Sequence, residues 1–515
     1  MTLGLTQSVA LHGLDGVIVT VEVDIADGIP TYSLLGLPDA ALNESRDRVR
    51  AALVNTNESW PNRKVTVSLS PAWLPKSGSS FDLSIALAIL VAHQRIAQQP
   101  LLGTLVLGEL ALDGKIRSVR GVLPALIAAY KSGITRAFVP HENLAEASLM
   151  SQMQIIGFKS LQQVIHFLRT GELDQDLELD IEINSKGERS YSSDNSDNSN
   201  FSDVAGQRQA RFAAEVAASG GHHLLLIGPP GAGKTMIANR LPTILPALTV
   251  EQALEVTALH SIAGTLGSRS PMSTLAPIVA PHHSASRVAM VGGGSSTIKP
   301  GACSLAHHGV LFIDEAPECA IGVLDALRQP LESGDVTIAR SIGSLTFPAR
   351  FLLVLAANPC PCGRFSGRGR ACTCSSLQVR RYLGKLSGPL MDRIDMRVQV
   401  EPVGRLDMAQ VELGESSQAI AQRVVAARAR AKARYAKESW HLNSEIPSRA
   451  LRTTYQPERA AMNFLHDELD KERLTARGFH KIIRLSWTLA DLNAHPIPTL
   501  KDIHLAHQLR EGSEF

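Results

Sequence analysis

The stretch that most constrains the fold is a glycine-rich loop between an apolar strand and a helical segment. The predicted strand is Leu224–Ile227 and the helical segment is Met236–Leu241. The loop residues are Gly228, Pro229, Pro230, Gly231, Ala232, Gly233, Lys234 and Thr235. Glycines at this spacing let backbone N–H groups turn inward around phosphates, and the helix start adds a partial positive charge. In this context the loop predicts a P-loop in a parallel α/β sheet with crossover helices.

The side chains of the loop, together with the acidic end of a second strand, predict that the ligand is ATP with Mg²⁺. Lys234 would bring a positive charge to the β- and γ-phosphates, and the Thr235 hydroxyl would bind Mg²⁺. Val310–Ile313 predicts a buried strand that ends in Asp314 and Glu315. Ligands of open α/β sheets bind beyond the carboxyl ends of the strands. We therefore predict that Asp314 holds Mg²⁺, directly or through water, and that Glu315 polarises the attacking water.

Two further polar residues are candidates for the same chemistry. Phe351–Ala357 predicts a third strand, and Asn358 at its end can bind the attacking water or the γ-phosphate. A turn before Pro359 is the structural alternative. Arg393 lies between two aspartates, where it can form a structural ion pair. Alternatively, it can reach the nucleotide of a neighbouring subunit, where a guanidinium stabilises charge on the transferred phosphoryl group.

Composition limits the remaining possibilities. A chain of 515 residues that is 44% apolar can bury two or three cores. The net charge of +2 means that any nucleic-acid surface must be a local patch. No secretory signal and no apolar run of about 20 residues is present in the sequence, so we expect a cytoplasmic protein without membrane contact. Its six cysteines should then be reduced.

Four of the cysteines form a compact pattern, C-x-C-x9-C-x-C. They are Cys360, Cys362, Cys372 and Cys374. Four thiolates paired at short spacing suit tetrahedral Zn²⁺. A thiol-rich loop without metal is the alternative, because the usual spacing is C-x2-C. A zinc site here would rigidify a loop that begins two residues after Asn358.

A polar run divides the chain into domains. Asn184–Asn200 is rich in Ser, Asn and Asp, and it predicts a flexible linker within residues 173–200. Residues 1–172 should form an α/β domain, residues 201–402 the nucleotide-binding core with a zinc loop at 360–374, and residues 403–515 a helical lid. In the first domain we predict strands at Val17–Ile25, Val65–Leu69 and Thr104–Leu107 and helices at Phe81–Ala92 and Leu123–Lys131.

The order of these motifs resembles that of the AAA+ ATPases, of the magnesium-chelatase-like branch and, in detail, of the ComM (YifB) family. Matching segments outside the linker include Gly36–Asp39, Glu44–Leu53, Pro281–Ser284, Val291–Gly294 and Leu474–Arg477. The resemblance implies an AAA+ P-loop core with a helical lid, preceded by a ribosomal-S5-like (Lon-protease-like) α/β domain. It also implies that Arg393 is the arginine finger and that Arg477, at the start of a lid helix, is the second sensor.

The activity that the resemblance implies is that of a hexameric motor acting on single-stranded and branched DNA. ComM-like proteins drive branch migration in natural transformation and recombination, so helicase or translocase activity would be expected. The cluster of Arg364, Arg368, Arg370, Arg380 and Arg381 around the cysteines is a candidate for a pore-facing DNA contact. Arg428 and Arg430 belong to a predicted basic helix, Arg423–Lys437, which either binds phosphates or is a solvated helix of the lid.

Two points separate this chain from its possible relatives. The family has a basic residue before Pro281 where this chain has Ile278–Ala280, so a contact made by that residue is not expected here. Ser80 falls on the nucleophile of Lon proteases, but Arg120–Ala125 contains no lysine base, which predicts a non-proteolytic domain. A DNA motor, a chelatase-like remodelling ATPase that does not act on DNA, and a Lon-like protease remain as three hypotheses. The missing lysine argues against the third.

Overall fold

The computed structural model describes residues 3–173, 199–266, 272–294, 298–340, 343–365, 372–402 and 414–512. The predicted linker, except for Leu173, Ser199 and Asn200, lies outside these residues, as do Arg368 and Arg370. The chain divides into two compact units. The first comprises the described residues of 1–194, 253–273 and 295–299, and the second those of 195–252, 274–294 and 300–515.

The first unit is built on a seven-stranded mixed sheet. The strands of this part of the chain are β1 (Gly4–His12), β2 (Asp15–Ala26), β3 (Thr31–Leu35), β4 (Lys64–Ser70), β5 (Thr104–Val106), β6 (Glu109–Leu110), β7 (Ile116–Arg117), β8 (Arg136–Pro140) and β9 (Gln154–Phe158). The sheet has the order β3-β4-β2-β1-β5-β8-β9, while β6 and β7 form a separate hairpin. Val19, Val21 and Val23 are fully buried, which confirms the strand predicted from their alternation.

Helices cover this sheet and complete its core. They are Ala40–Asn43, Ser45–Asn55, Asp82–Ala92, Val122–Lys131, Leu144–Ala147 and Leu161–Thr170. Every residue of Asp82–Ala92 is buried. Such a helix can carry an aspartate only if the charge is paired. Arg48 forms that pair, since its Nε lies 2.7 Å from Asp82 Oδ2.

The sequence analysis assigned residues 253–263 to the nucleotide-binding core, but in the structure they belong to the first unit. They are part of the helix Val250–Ala263. Ala258 joins the apolar cluster around Leu123 and Leu126, and Leu254 packs against it. Glu146 accepts hydrogen bonds from the Ser261 hydroxyl and from Leu123 N at 2.8 Å. The grouping follows from the side chains that this helix buries, which linear motif order does not specify.

The second unit contains a five-stranded parallel sheet. The strands of this part of the chain, five of which form the sheet, are β10 (Leu224–Ile227), β11 (Ile278–Val279), β12 (Gly292–Gly293), β13 (Lys299–Pro300), β14 (Val310–Ile313), β15 (Asp335–Arg340), β16 (Gly343–Pro348), β17 (Leu352–Ala357) and β18 (Met396–Gln399). The sheet has the order β11-β14-β17-β10-β18, and β15 with β16 forms an antiparallel hairpin. All residues of β14 and β17 are buried, as expected for parallel strands covered on both faces.

The helices of this unit surround the sheet and form the lid. They are Arg208–Gly220, Lys234–Arg240, Arg287–Val291, Ala302–Leu305, Ile321–Ala326, Arg328–Ser333, Ser376–Leu383, Gly388–Met391, Ser417–Arg434, Ser448–Thr453, Arg459–Asp470, Ala476–Leu492 and Leu500–Glu511. The lid packs on the core through Ile482, Ile483 and Val424, which are fully buried in the cluster that also contains Val216. The predicted α/β class, with a P-loop core and a helical lid, is confirmed.

Candidate nucleotide site and cysteine cluster

The order of the parallel sheet brings three loops together at one edge. Strand β10 lies between β17 and β18, and β14 lies on the other side of β17. Because these strands are parallel, the residues that follow them emerge at the same edge. The P-loop follows β10, Asn358 follows β17, and Asp314 and Glu315 follow β14. The candidate residues that the sequence placed at separate strand ends therefore lie in one site.

The glycines of the P-loop meet two different backbone requirements. Gly231 and Gly233 have φ of +77° and +93°, a region that side chains with a Cβ adopt only at a cost. Gly228 is required for close approach, because a Cβ there would lie 2.2 Å from the main-chain oxygen of Val400. The helix Lys234–Arg240 begins immediately after Gly233. The loop thus has the backbone that presents N–H groups and a helix start to an anion.

Lys234 is held at the centre of the site by three oxygen acceptors. Its Nζ donates to Gly228 O at 2.6 Å, to Pro229 O at 2.9 Å and to Asn358 Oδ1 at 3.2 Å. Burial lowers the pKa of Lys234, and the nearby carboxylates of Asp314 and Glu315 act to raise it. This contact places the Asn358 amide, which the sequence analysis singled out, beside Lys234.

Thr235 and Asp314, the two predicted Mg²⁺ ligands, are neighbours. Thr235 Oγ1 donates to Asp314 Oδ2 at 2.8 Å, and the Glu315 N–H donates to Asp314 Oδ1 at 2.9 Å. A hydroxyl and a carboxylate at this separation are the donor set that Mg²⁺ takes beside nucleotide phosphates. These residues therefore fit a magnesium ion bound together with the nucleotide.

Glu315 has an unusual backbone and a partner that the sequence analysis missed. Its φ of +48° is in the left-handed region, which is uncommon for a residue other than glycine and is often found at functional sites. His283 Nδ1 lies 3.3 Å from Glu315 Oε2. His283 follows β11, whose carboxyl end meets the same sheet edge, and that topology was the signal that could have identified it.

The structure separates the charges around Arg393. Its Nη2 lies 2.7 Å from Glu332 Oε2, and its Nη1 donates to Pro389 O at 2.7 Å. Asp392 pairs with Arg477 at 2.8 Å, and the buried Asp395 pairs with Lys481 at 2.7 Å. Arg393 is therefore paired with neither adjacent aspartate. Arg477 lies beside the loop that carries Arg393, so the predicted arginine finger and the predicted second sensor belong to one group of charges.

Asp395 anchors this loop in the interior. It accepts hydrogen bonds from Lys481 and, at 2.9 Å, from His223 N. Burial acts to raise the pKa of Asp395, but the positive charge of Lys481 and the contact with His222 hold it well below its usual range. Burial also lowers the pKa of His223 to about 4, and Lys481 and His222 contribute in the same direction.

We expect the second unit to lose stability as the pH falls from 6.5 to 4. Over that range His223 becomes protonated in the unfolded chain but stays neutral in the folded chain, so proton binding favours unfolding. A tenfold difference in proton affinity between the folded and the unfolded chain corresponds to about 1.4 kcal/mol. The free energy of unfolding should therefore fall by at most about 3 kcal/mol. Denaturant melts at several pH values measure it. A His223→Asn variant should flatten the profile and His441→Asn, on the surface, should not; equal slopes would contradict the assignment.

The four clustered cysteines lie as close together as zinc ligands. Their Sγ atoms all lie within 4.8 Å of one another. Cys360 Sγ is 3.3 Å from Cys362 Sγ and 3.6 Å from Cys372 Sγ, and Cys362 Sγ is 3.7 Å from Cys372 Sγ. A tetrahedron with Zn–S bonds of about 2.3 Å has S···S edges of about 3.8 Å. The cluster therefore fits a Zn²⁺ ion, while Cys303 and Cys319 are buried elsewhere.

The cysteine turn packs directly on the P-loop. Gly363 has φ of +72°, and a Cβ at this position would lie 2.7 Å from ring atoms of Pro230. The same turn begins two residues after Asn358, which contacts Lys234. The cysteine turn is thus connected to the candidate nucleotide site through Pro230 and Asn358.

The candidate DNA residues differ in their surroundings. Arg364, Arg380 and Arg381 are exposed, and Phe365, which follows Arg364 in the chain, is 48% exposed. Arg428 donates to Ala218 O at 2.8 Å through Nε, and Arg430 donates to Asp491 O at 2.7 Å. The last two contacts hold the helix Ser417–Arg434 in place, which favours the structural alternative for that helix.

The region that resembles the Lon nucleophile contains a buried lysine, Lys76. Its Nζ donates to Leu69 O at 2.8 Å and to Pro71 O. Burial lowers its pKa. The Ser79 hydroxyl contacts Glu109, and Ser80 O accepts from Gly108 N at 3.0 Å. Both of these Lys76 hydrogen bonds are with main-chain oxygens.

Comparisons with known proteins agree with this architecture. Models of the magnesium chelatase subunit ChlI match residues 21–143 and 200–408, and a model of the ChlI C-terminal part matches residues 414–510. The competence protein ComM of Haemophilus influenzae is 40% identical over 495 residues, 96% of this chain and 94% of its own length. The chain belongs to the magnesium-chelatase-like ComM/YifB family.

Three further relatives match this chain over different shares of its length. The YifB protein of Escherichia coli, which is uncharacterized, is 38% identical over 99% of this chain and 97% of its own length. An uncharacterized protein of Mycobacterium tuberculosis is 47% identical over 99% of both chains. A Lon protease of Clostridioides difficile is 25% identical over only 33% of this chain.

Within the described residues, none of the helices combines the length and apolar content needed to cross a membrane.

Proposed function

We propose that this protein is an ATP-driven motor that assembles as a ring, with six copies, and acts on single-stranded and branched DNA in the cytoplasm. The observation that carries the proposal is the convergence at one sheet edge of Lys234, the Thr235–Asp314 pair, Glu315 and Asn358. These are the groups required to bind a nucleoside triphosphate with Mg²⁺ and to activate water beside it.

The proposed reaction is hydrolysis of ATP to ADP and phosphate. Lys234 and the loop N–H groups bind the phosphates, and Thr235 and Asp314 hold Mg²⁺, which neutralises phosphate charge when bound. Glu315 accepts a proton from the attacking water, whose oxygen forms a bond to the γ-phosphorus. The bond from that phosphorus to the β–γ bridging oxygen breaks, and its electron pair leaves with ADP. Asn358 orients the water or the γ-phosphate.

Arg393 and Arg477 complete the proposed site from a neighbouring copy. Arg393 is bound to Glu332 and Pro389 and has no described contact with its own P-loop. A planar guanidinium supplied in trans would stabilise the charge on the transferred phosphoryl group. Because Arg477 pairs with Asp392, the residue beside Arg393, we place it on the same face.

DNA is the proposed substrate because of one relative and one surface. The relative is the competence protein ComM, at 40% identity over almost the whole chain. The proposed surface comprises the exposed residues that flank the cysteines in the chain, Arg364, Phe365, Arg380 and Arg381. Arginines can bind phosphates, and an aromatic ring can stack on a base. We propose that the motor extends heteroduplex DNA by branch migration during natural transformation and recombination.

The cysteine cluster is proposed to hold one structural Zn²⁺. Its support is the sulfur geometry, which matches a tetrahedral thiolate site. In this role Cys360, Cys362, Cys372 and Cys374 would fix the turn that packs on Pro230 and would present the adjacent arginines to DNA.

A chelatase-like remodelling ATPase that does not act on DNA is the second candidate. It is favoured by the match of residues 200–408 to the magnesium chelatase subunit. Both candidates hydrolyse ATP by the same chemistry. They differ in the substrate of the motor, which is DNA in the first candidate and not DNA in the second. The response of ATP hydrolysis to DNA separates them.

We expect ATP hydrolysis by the full chain to rise with single-stranded DNA and with a Holliday-type junction, and the junction to migrate only with ATP and Mg²⁺. Arg380→Ala combined with Arg381→Ala should weaken binding of single-stranded DNA and reduce the slope of log affinity against log salt by about 1.4, because two phosphate contacts are lost. Steady-state hydrolysis, junction assays and binding titrations at several salt concentrations measure these effects.

The matched control is Arg452→Ala with Arg459→Ala, since both arginines are exposed on the lid. This double variant should bind DNA like the wild type. Robust hydrolysis that no DNA changes, together with no junction migration, would contradict the DNA proposal and favour the remodelling ATPase.

A further inference from the structure

Three arginines of the second unit line one cavity of about 400 Å³. Arg287 belongs to the helix Arg287–Val291, Arg328 to the helix Arg328–Ser333, and Arg393 follows the helix Gly388–Met391. Two acidic residues, Asp325 and Glu332, complete the charged part of the lining. The sequence analysis singled out only Arg393, because the other two arginines lie far from it in the chain.

Both carboxylates of this cavity have partners, whereas two of the arginines do not. Asp325 Oδ1 accepts from the Ser387 hydroxyl at 3.0 Å, and Glu332 pairs with Arg393 at 2.7 Å. Within the part of the chain that the structure describes, Arg287 and Arg328 make no ion pair and no side-chain hydrogen bond. Both are exposed. The cavity therefore presents two unpaired guanidinium groups beside Arg393, which is held by Glu332 and by Pro389 O.

The pair that holds Arg393 is easily exchanged. Glu332 is 71% exposed and Arg393 17%. Ion pairs with an exposed partner stabilise a protein by only about 0–1 kcal/mol. A phosphate group that carries more than one negative charge attracts a guanidinium more strongly and accepts two parallel N–H donors. An anion entering the cavity can thus replace Glu332 as the partner of Arg393.

From these observations we infer that the cavity is a receptor for the γ-phosphate of an ATP molecule held by the P-loop of a second copy, and that Arg287 and Arg328 bind this phosphate together with Arg393. The inference rests on the proposed function and adds two residues to it. Glu332 holds Arg393 in the cavity until the phosphate takes its place. Three guanidiniums match the three oxygens over which charge spreads during transfer.

The test uses full-length Arg328→Ala and Arg287→Ala proteins, with Arg459→Ala as a matched exposed-arginine control. Each variant should bind a fluorescent ATP analogue within twofold of the wild type, because its own P-loop is intact. Hydrolysis by each cavity variant should fall at least about tenfold, less than the 10³–10⁵-fold that an arginine finger supplies. The control should hydrolyse ATP at the wild-type rate.

Mixing experiments separate a trans role from a structural one. Arg328→Ala mixed with Lys234→Ala should regain part of its activity, because some interfaces then combine an intact P-loop with an intact cavity. Arg328→Ala mixed with Arg393→Ala should regain none, since every interface still lacks one arginine of the cavity. A residue that only supports the fold would not produce this pattern.

Two results overturn the inference, and they are distinguishable. If Arg393→Ala and Lys234→Ala complement each other while Arg287→Ala and Arg328→Ala hydrolyse ATP like the wild type, the cavity does not bind the phosphate and the proposed function stands. If the wild-type protein hydrolyses no ATP, the proposed function fails and the inference fails with it.

Discussion

The Glu315→Gln variant is expected to bind ATP with wild-type affinity and to lose hydrolysis by a factor of about 10² to 10⁴, the range that general-base catalysis contributes. The substitution keeps the shape of the side chain and removes its ability to accept a proton from water. Asp314, Thr235 and Lys234 keep their contacts, so binding should be unaffected. Equilibrium binding of labelled ATP and single-turnover hydrolysis measure the two effects separately.

The control for this prediction is Glu318→Gln, which changes an exposed carboxylate three residues away whose described partner is Lys385 at 3.7 Å. It should hydrolyse ATP at the wild-type rate. Lys234→Ala should instead fail to bind ATP, because the loop loses the charge that lies among Gly228 O, Pro229 O and Asn358 Oδ1. Hydrolysis by Glu315→Gln at the wild-type rate would remove Glu315 from the role of general base.

The second large effect concerns metal. Protein purified without chelator is expected to contain one Zn²⁺ per chain, and a Cys372→Ser, Cys374→Ser double variant close to none. Structural zinc sites in small peptides bind with about 10–16 kcal/mol, so the loss of two thiolates should abolish occupancy. Affinity for ATP should fall in the same variant, since the Cys360–Gly363 turn would no longer be held against Pro230. Elemental analysis and ATP titration are the measurements.

The two remaining cysteines provide the matched control for the zinc prediction. Cys303→Ala and Cys319→Ala remove buried thiols outside the cluster and should retain one Zn²⁺ per chain. A metal content near zero in the wild-type protein would reject the site. Full zinc occupancy in the double variant would show that the metal binds elsewhere.

Local patterns carried much of the fold prediction. The alternation at Val17–Ile25 and the apolar run Val310–Ile313 each predicted a strand that the structure contains as β2 and β14. Both patterns reflect which side chains a single element buries, and that depends on neighbours along the chain. The assignment of residues 253–263 to the first unit could not be predicted in this way, because it depends on what Ala258 packs against.

The sequence by itself determined the chemical types present: a glycine-rich P-loop, an acidic strand end, an amide strand end and four clustered thiols. Only the tertiary structure decided which of them meet. It set β10 beside β17, placed His283 on Glu315, separated Arg393 from its adjacent aspartates and gathered Arg287 and Arg328 around it. The physical reason is that motif chemistry depends on a few consecutive residues. Strand order and charge pairing instead depend on burial and distance between segments that are remote in the chain.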